Sequence, residues 1–392
     1  MNTTSKNKAF VGLKMILSVS LIIFMFGCGE KYCDNVLDLD EVEDVDLSPL
    51  TSDVDIIPIK CSVPMDGIRA VHIFEDYIFL FGLKRKEIYC VKNDSVISIL
   101  KAIGRGHGEY TYIDDFAYDE KTKILYVVND EKLLKYSVPS MTFLESMDIN
   151  YSTIGMMVLN PDEILANCSL WEDDTYKEFY NGLCVVSTAT GKIIKRCFET
   201  GFYDGLCINE DDFVRYDGGI MMSLAGIYNN KVISLDINTG NIKDLDYFCF
   251  SPKWRLPKNL IKLANKWDSF NYSIEADKRT VYCDGFHMPA FINSRLTFWC
   301  FPEENGSDKN IVVIKDKEKY IKRQFYVSGT SLSINAYTVK DNRFITVFCT
   351  APETTITDPE NVSDFGKEIY NAMKAQPFNN PILLSFTVDK NI

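Results

Sequence analysis

Short runs of Ile, Val, Leu, Phe and Tyr, four to six residues long and separated by turn residues, recur along most of the chain. Such runs read as β-strands, and strands at this spacing predict an all-β domain. They fall into groups of four. The first group runs through Ile68 to Ile73, Tyr77 to Phe81, Glu87 to Val91 and Val96 to Leu100, with Glu75-Asp76 and Asn93-Asp94 at the turns. A second group spans Ile113 to Met147, a third Met156 to Cys197 and a fourth Phe213 to Leu245. A fifth keeps Leu296 to Trp299, Ile311 to Ile314 and Ile321 to Phe325, its first strand falling somewhere between Tyr272 and Ile292. The sixth has only three runs, Ile334 to Tyr337, Phe344 to Phe348 and Leu383 to Val388.

The missing strand has a candidate at the other end of the chain. Asp53 to Ile59 alternates like a strand and has no hairpin partner nearby. If it completes the sixth group, the ring closes and both open sheet edges vanish. The expected fold is therefore a six-bladed β-propeller of four-stranded antiparallel blades over residues 53–392. Two helical patterns interrupt the strands: Lys258 to Trp267, and Ser363 to Ala375 with Ser363 as the cap.

Between the first two groups lies Gly104-Arg105-Gly106-His107-Gly108-Glu109-Tyr110, followed by Asp115-Phe116. Glycines 104, 106 and 108 are expected to supply positive φ at the crossing, with Glu109 and Tyr110 packing the joint. This stretch resembles the glycine-rich blade joint of the six-bladed β-propeller lipoproteins of Gram-negative gut bacteria, distant relatives of NHL-repeat propellers. His107 stands where that family usually has proline. Leu47 to Ile59 is similar to the family's N-terminal segment. The resemblance implies a fold and an envelope location, and no defined biochemical role.

The N-terminus adds an address. Lys6, Lys8 and Lys14 precede the apolar stretch Met15 to Phe26, which is laid out as a secretion signal. Gly27-Cys28 at its end resembles a lipobox, with Met25 and Phe26 departing from the usual leucine-then-small pattern. The resemblance implies a signal peptide over residues 1–27, lipidation of Cys28 and an export address in the cell envelope, at the outer membrane. Removing that signal leaves 39 Lys and Arg against 55 Asp and Glu, a formal charge of −16, where the whole chain carries −13. A chain this acidic is repelled by phosphate backbones, so nucleic acid is excluded as a partner. Part of the charge lies in Asp38 to Asp46, and residues 28–52 are expected to form a solvated acidic tether. The 12 cysteines include no C-x-x-C pair, and Cys90, Cys184, Cys249, Cys300 and Cys349 lie within apolar runs, as small buried hydrophobes do.

Catalytic chemistry is sparse. His72, His107 and His287 are the only histidines and fall on three different groups, so neither a metal nor another cofactor is expected. No nucleophile elbow or phosphate loop is present. In a propeller the second-to-third-strand loops and the blade-to-blade connections share one face, and here the long segments fall there: Leu170 to Gly182, Gly201 to Asp212, Ser251 to Met288, Phe301 to Lys309 and Thr350 to Pro381. Long loops on a rigid scaffold carry binding function, which makes Arg105, His107, Trp171, Asp173, Trp254 and Trp267 the candidate ligand-binding residues. The expected role is a binding module holding a peptide, glycan or partner protein on that face; the alternative is a hydrolase or lyase with its site at the channel mouth.

Overall fold

Apolar runs become strands here because both sides of each sheet are covered by a neighbouring sheet. The computed structural model describes residues 35–49, 54–65, 67–129, 131–171, 179–199, 213–216, 219–225, 230–254, 281–283, 286–292, 294–300, 303–304, 307–308, 310–317, 319–332, 334, 338–340, 342–349, 352 and 355–387. The chain divides into two units, Met1–Val36 and Leu37–Ile392, and the blades belong to the second.

Blade one consists of Ile68–Ile73, Ile78–Gly82, Ile88–Lys92 and Ser95–Leu100, innermost strand first. Blade two follows with Asp115–Asp119, Ile124–Asn129, Lys132–Ser137 and Thr142–Asp148. Blade three is Ser152–Asn160, Glu163–Trp171, Phe179–Ser187 and Ile193–Glu199. Blade four is Val214–Tyr216, Gly219–Ala225, Asn230–Leu235 and Ile242–Phe250. In blade five the order is Phe286–Ile292, Arg295–Cys300, Ile311–Asp316 and Lys319–Tyr326. Blade six takes Thr338–Lys340, Arg343–Phe348 and Ile382–Thr387 from the end of the chain and Val54–Pro58 from its start.

The closure is antiparallel, with Ile56 opposite Leu384 and Pro58 opposite Ile382. Arg343 fixes it from the side: its Nη2 donates to Asp55 Oδ2 and to the Ser385 carbonyl, both at 2.8 Å, while Nε donates to Ser385 Oγ at 2.7 Å. Six apolar clusters fill the six gaps between neighbouring blades. Phe248 of blade four stacks on Phe298 of blade five at 5.0 Å. The gap between blades six and one is filled by Leu80, Tyr89 and Val91 against Ile345, Val347 and Leu383, so the ring is sealed by packing as well as by pairing.

Three expectations change. Residues 37–47 are packed rather than a solvated tether. Glu43–Asp46 runs parallel to Lys319–Tyr326 as a fifth strand of blade five, and Leu37, Leu39 and Leu47 are buried among the blades. Their burial outweighs the surrounding acids because those acids find donors: Asp40 accepts from Trp254 Nε1 at 3.0 Å and from Lys253, and Asp46 accepts from Ser48 and Ser328. Hydrogen bonds from Ser328 and Ser48 outweigh the burial of Asp46 and hold its carboxyl below the usual range. Second, both described ends of the expected loop Leu170 to Gly182 are strand, since Leu170 pairs with Tyr180 and Trp171 with Phe179. Third, the expected loop Phe301 to Lys309 contributes Glu303–Glu304 and Ser307–Asp308 to a small sheet with Val281–Tyr282.

The insertion of blade six carries the helix Asp364–Lys374, capped by Ser363 as expected, with Ser363 Oγ accepting from the Gly366 N–H at 3.0 Å. Phe365, Ile369 and Met373 bury its apolar stripe against blades five and six. The other expected helix, Lys258 to Trp267, lies outside the described residues. Nine described cysteines are free thiols, seven of them buried; Cys349, expected in the core, is exposed just past the end of its strand.

Candidate functional site

The innermost strands of all six blades line one axial cavity of about 800 Å³. Blade by blade, it is reached by His72, Phe116, Met156, Arg215, Ala290 and Thr338. A propeller places these side chains together because each innermost strand runs along the axis, so residues far apart in sequence share one wall. The volume lies within the range of small-ligand pockets.

The walls present polar and apolar surface in nearly equal measure, and the ionisable groups lie towards one end, where innermost strands turn into second strands. The Arg215 guanidinium is held by the Val158 and Leu159 carbonyls of blade three, the second at 3.1 Å. Lys121 follows the innermost strand of blade two, and Lys340 ends that of blade six. Neither lysine forms an ion pair among the described residues. The two carboxylates of this rim are already engaged: Asp119 accepts from the Lys121 N–H and the Thr122 hydroxyl, and Glu120 accepts from the Glu75 N–H at 2.7 Å. The cavity therefore offers cations on blades two, four and six, in a chain that is acidic overall.

His72 packs edge-on against Phe116 at 4.6 Å, and its desolvation pushes its pKa down to about 4. It is neutral at physiological pH. Burial raises the Tyr118 hydroxyl to about 12 despite the nearby Lys123.

The glycine-rich joint is built differently from expectation. Of its three glycines only Gly108 has positive φ, at 74°. Gly104 and Gly106 make room for the Glu109 side chain, whose Oε2 accepts from the Gly106 N–H at 2.7 Å. A Cβ on Gly104 would lie 2.0 Å from that oxygen. Tyr110 is buried and its hydroxyl donates to the Lys86 carbonyl at 2.9 Å, packing the joint as expected. Arg105 and His107 are exposed on the connection face, His107 against the Phe143 ring at 4.7 Å.

Of the candidate tryptophans, the side chain of Trp254 is described. Trp254 is fully buried between blades four and five, bonded to Asp40 and covered by Lys253, so it has no face for a ligand. Trp171 ends a strand. Asp173, Trp267 and Cys28 lie outside the described residues. Sequence reasoning missed Lys121, Arg215 and Lys340; their shared signal is a cation at or just after an innermost strand, legible only once blades are aligned.

Six four-stranded blades around a lined axis define a six-bladed β-propeller. The chain belongs to the DUF5128 family, described as 6-bladed beta-propeller, whose family model matches residues 28–286. No curated protein matches it. Among solved structures it is similar to a Bacteroides fragilis protein classed as exported, at 14% identity and a TM-score of 0.66, over 91% of this chain and 100% of that one. A duf4221 family member from Bacteroides vulgatus reaches 10% identity and a TM-score of 0.49, over 85% of this chain and 98% of that one. At 14% identity the likeness to the B. fragilis protein is one of fold.

Proposed function

We propose that this propeller is an exported binding protein, lipid-anchored through Cys28 in the outer membrane, that holds the anionic end of a peptide or glycan in its axial cavity. The observation that carries the reading is the composition of that cavity: walls from all six blades, and on its rim the cations Lys121 and Lys340, which form no ion pair among the described residues. A concave pocket that combines apolar walls with a few placed polar and charged groups is the usual form of a recognition site. The export signal Lys6 to Phe26 and Gly27-Cys28 support the address, and the likeness to a B. fragilis protein classed as exported agrees with it.

The test fills the cavity. Thr338→Trp places an indole on the half-buried wall of blade six. Wild-type and variant proteins are incubated with a pool of acidic peptides and acidic cell-wall oligosaccharides, and bound species are identified by mass spectrometry. The wild type retains a subset that the variant releases; equal retention by both, or none by either, refutes the cavity as the site. Cys28→Ser should move the protein to the soluble fraction, and continued membrane retention would count against the anchor.

A further inference from the structure

The opposite face, where blade-to-blade connections and second-to-third-strand turns emerge, has its own distinct chemistry. At the corner of blades six, one and two, segments 60–67, 83–87 and 101–114 are locked together. The Leu83 N–H donates to the Gly67 carbonyl at 2.5 Å, the Ile113 N–H to the Arg85 carbonyl at 2.7 Å, and the Tyr110 hydroxyl to the Lys86 carbonyl at 2.9 Å. From the blade-six insertion, Asn380 Nδ2 donates to the Cys61 and Val63 carbonyls at 3.1 and 3.2 Å.

This platform holds five large apolar side chains in solvent: Val63, Leu83, Ile103, Tyr112 and Phe378, between 37% and 59% exposed. Phe378 keeps φ at 60°, a conformation that a bulky aromatic residue rarely adopts. The other exposed large apolar residues among those described are scattered, on outermost strands or at Val36. Clustered exposed apolar residues mark an interaction surface.

The charge of the corner runs against that of the chain. Its three segments carry six Lys and Arg against four Asp and Glu, in a chain of net −13. Glu87 is paired with Lys101, and Glu109 is turned onto the Gly106 N–H. Lys60, Lys86 and Arg105 form no ion pair among the described residues.

We infer that this corner docks on a bilayer bearing anionic phospholipid. Apolar tips enter the interfacial layer while the surrounding cations meet phosphates, the combination by which proteins lie on membranes. The path of the N-terminal segment agrees. The Leu37 carbonyl accepts from the Ser251 N–H just past the outermost strand of blade four, hence on this same face. The nine residues from Cys28 to Leu37 span at most about 30 Å, long enough for a lipid at Cys28 to lie in a bilayer against this face. The rim of Lys121 and Asn342 then opens away from the membrane. This inference does not depend on the cavity reading and takes from the proposed function only the lipid at Cys28.

The experiment is hydrogen exchange on the full protein reconstituted into vesicles through its own N-terminus. On phosphatidylcholine vesicles with about 30% phosphatidylglycerol, amides of residues 83–87 and 103–112 exchange at least about fivefold slower than on phosphatidylcholine alone. Salt at about 0.5 M abolishes the difference by screening. Lys86→Gln with Arg105→Gln weakens the contact about 25-fold, at about fivefold per cation. Leu83→Ser with Tyr112→Ser removes the protection on both vesicles, and unchanged melting curves show that the fold is intact. Equal exchange on the two vesicle types, or protection of residues 119–123 instead, overturns the inference.

Discussion

Replacing Leu39 or Leu47 by alanine tests whether the acidic N-terminal segment is part of the propeller. Leu39 is buried with Phe248, Trp254 and Phe298 between blades four and five, and Leu47 with Val327 and Phe365 between blades five and six. Each substitution leaves a cavity that rigid strands cannot refill, at about 3 kcal/mol apiece. The two sites lie in different clusters, so the double variant should lose about 6 kcal/mol. Asp40→Ala adds a different defect, stripping the buried Trp254 Nε1–H of its acceptor, at about 1 to 3 kcal/mol. Urea denaturation followed by tryptophan fluorescence and circular dichroism measures all four variants. A free tether predicts changes within about 0.5 kcal/mol; that result for the leucine variants would refute the packing argument.

Two further outcomes follow from local geometry. Gly104→Ala should cost about 1 kcal/mol, because the new methyl evicts the flexible Glu109 carboxylate and breaks one hydrogen bond; in a Glu109→Ala background the same change should cost almost nothing, and additive effects in a thermal melt would contradict the geometry. For His72 the folded pKa of about 4 lies below the unfolded value, so the unfolded chain takes up the proton first and stability falls as pH drops. Between pH 6.5 and about 4 that loss is at most about 3 kcal/mol; His72→Phe should flatten this part of the stability profile, and an unchanged slope would show that His72 does not titrate there.

Much of the fold was legible because blade strands are covered on both faces. Ile88 to Val91 or Ile311 to Ile314 read as unbroken apolar runs, and counting them by fours exposed the orphan at residues 53–59. The segment from Leu37 to Leu47 escaped that logic. Its three buried leucines are set among acids, and only the tertiary donors Trp254, Ser328 and Lys253 make those acids compatible with packing. The glycine joint misled for a related reason: sequence does not distinguish a glycine needed for φ from one needed for clearance, and Gly104 and Gly106 are of the second kind. The cavity rim was illegible because Lys121, Arg215 and Lys340 are neighbours only through the ring. Trp254 attracted notice as a loop aromatic, yet its indole N–H had an internal partner more than two hundred residues away.

The pairing of Ile56 with Leu384 sets the order in which the molecule can be made. Val54–Pro58 leaves the ribosome early, but the edge it joins is translated some 330 residues later. Until then blade six lacks a wall, and the seam between Leu80 and Val347 stays open to solvent. Translation can therefore finish before the ring locks. A product stopped ahead of Ile382 would keep an unpaired edge on Arg343–Phe348, available to proteases and to other unfinished copies.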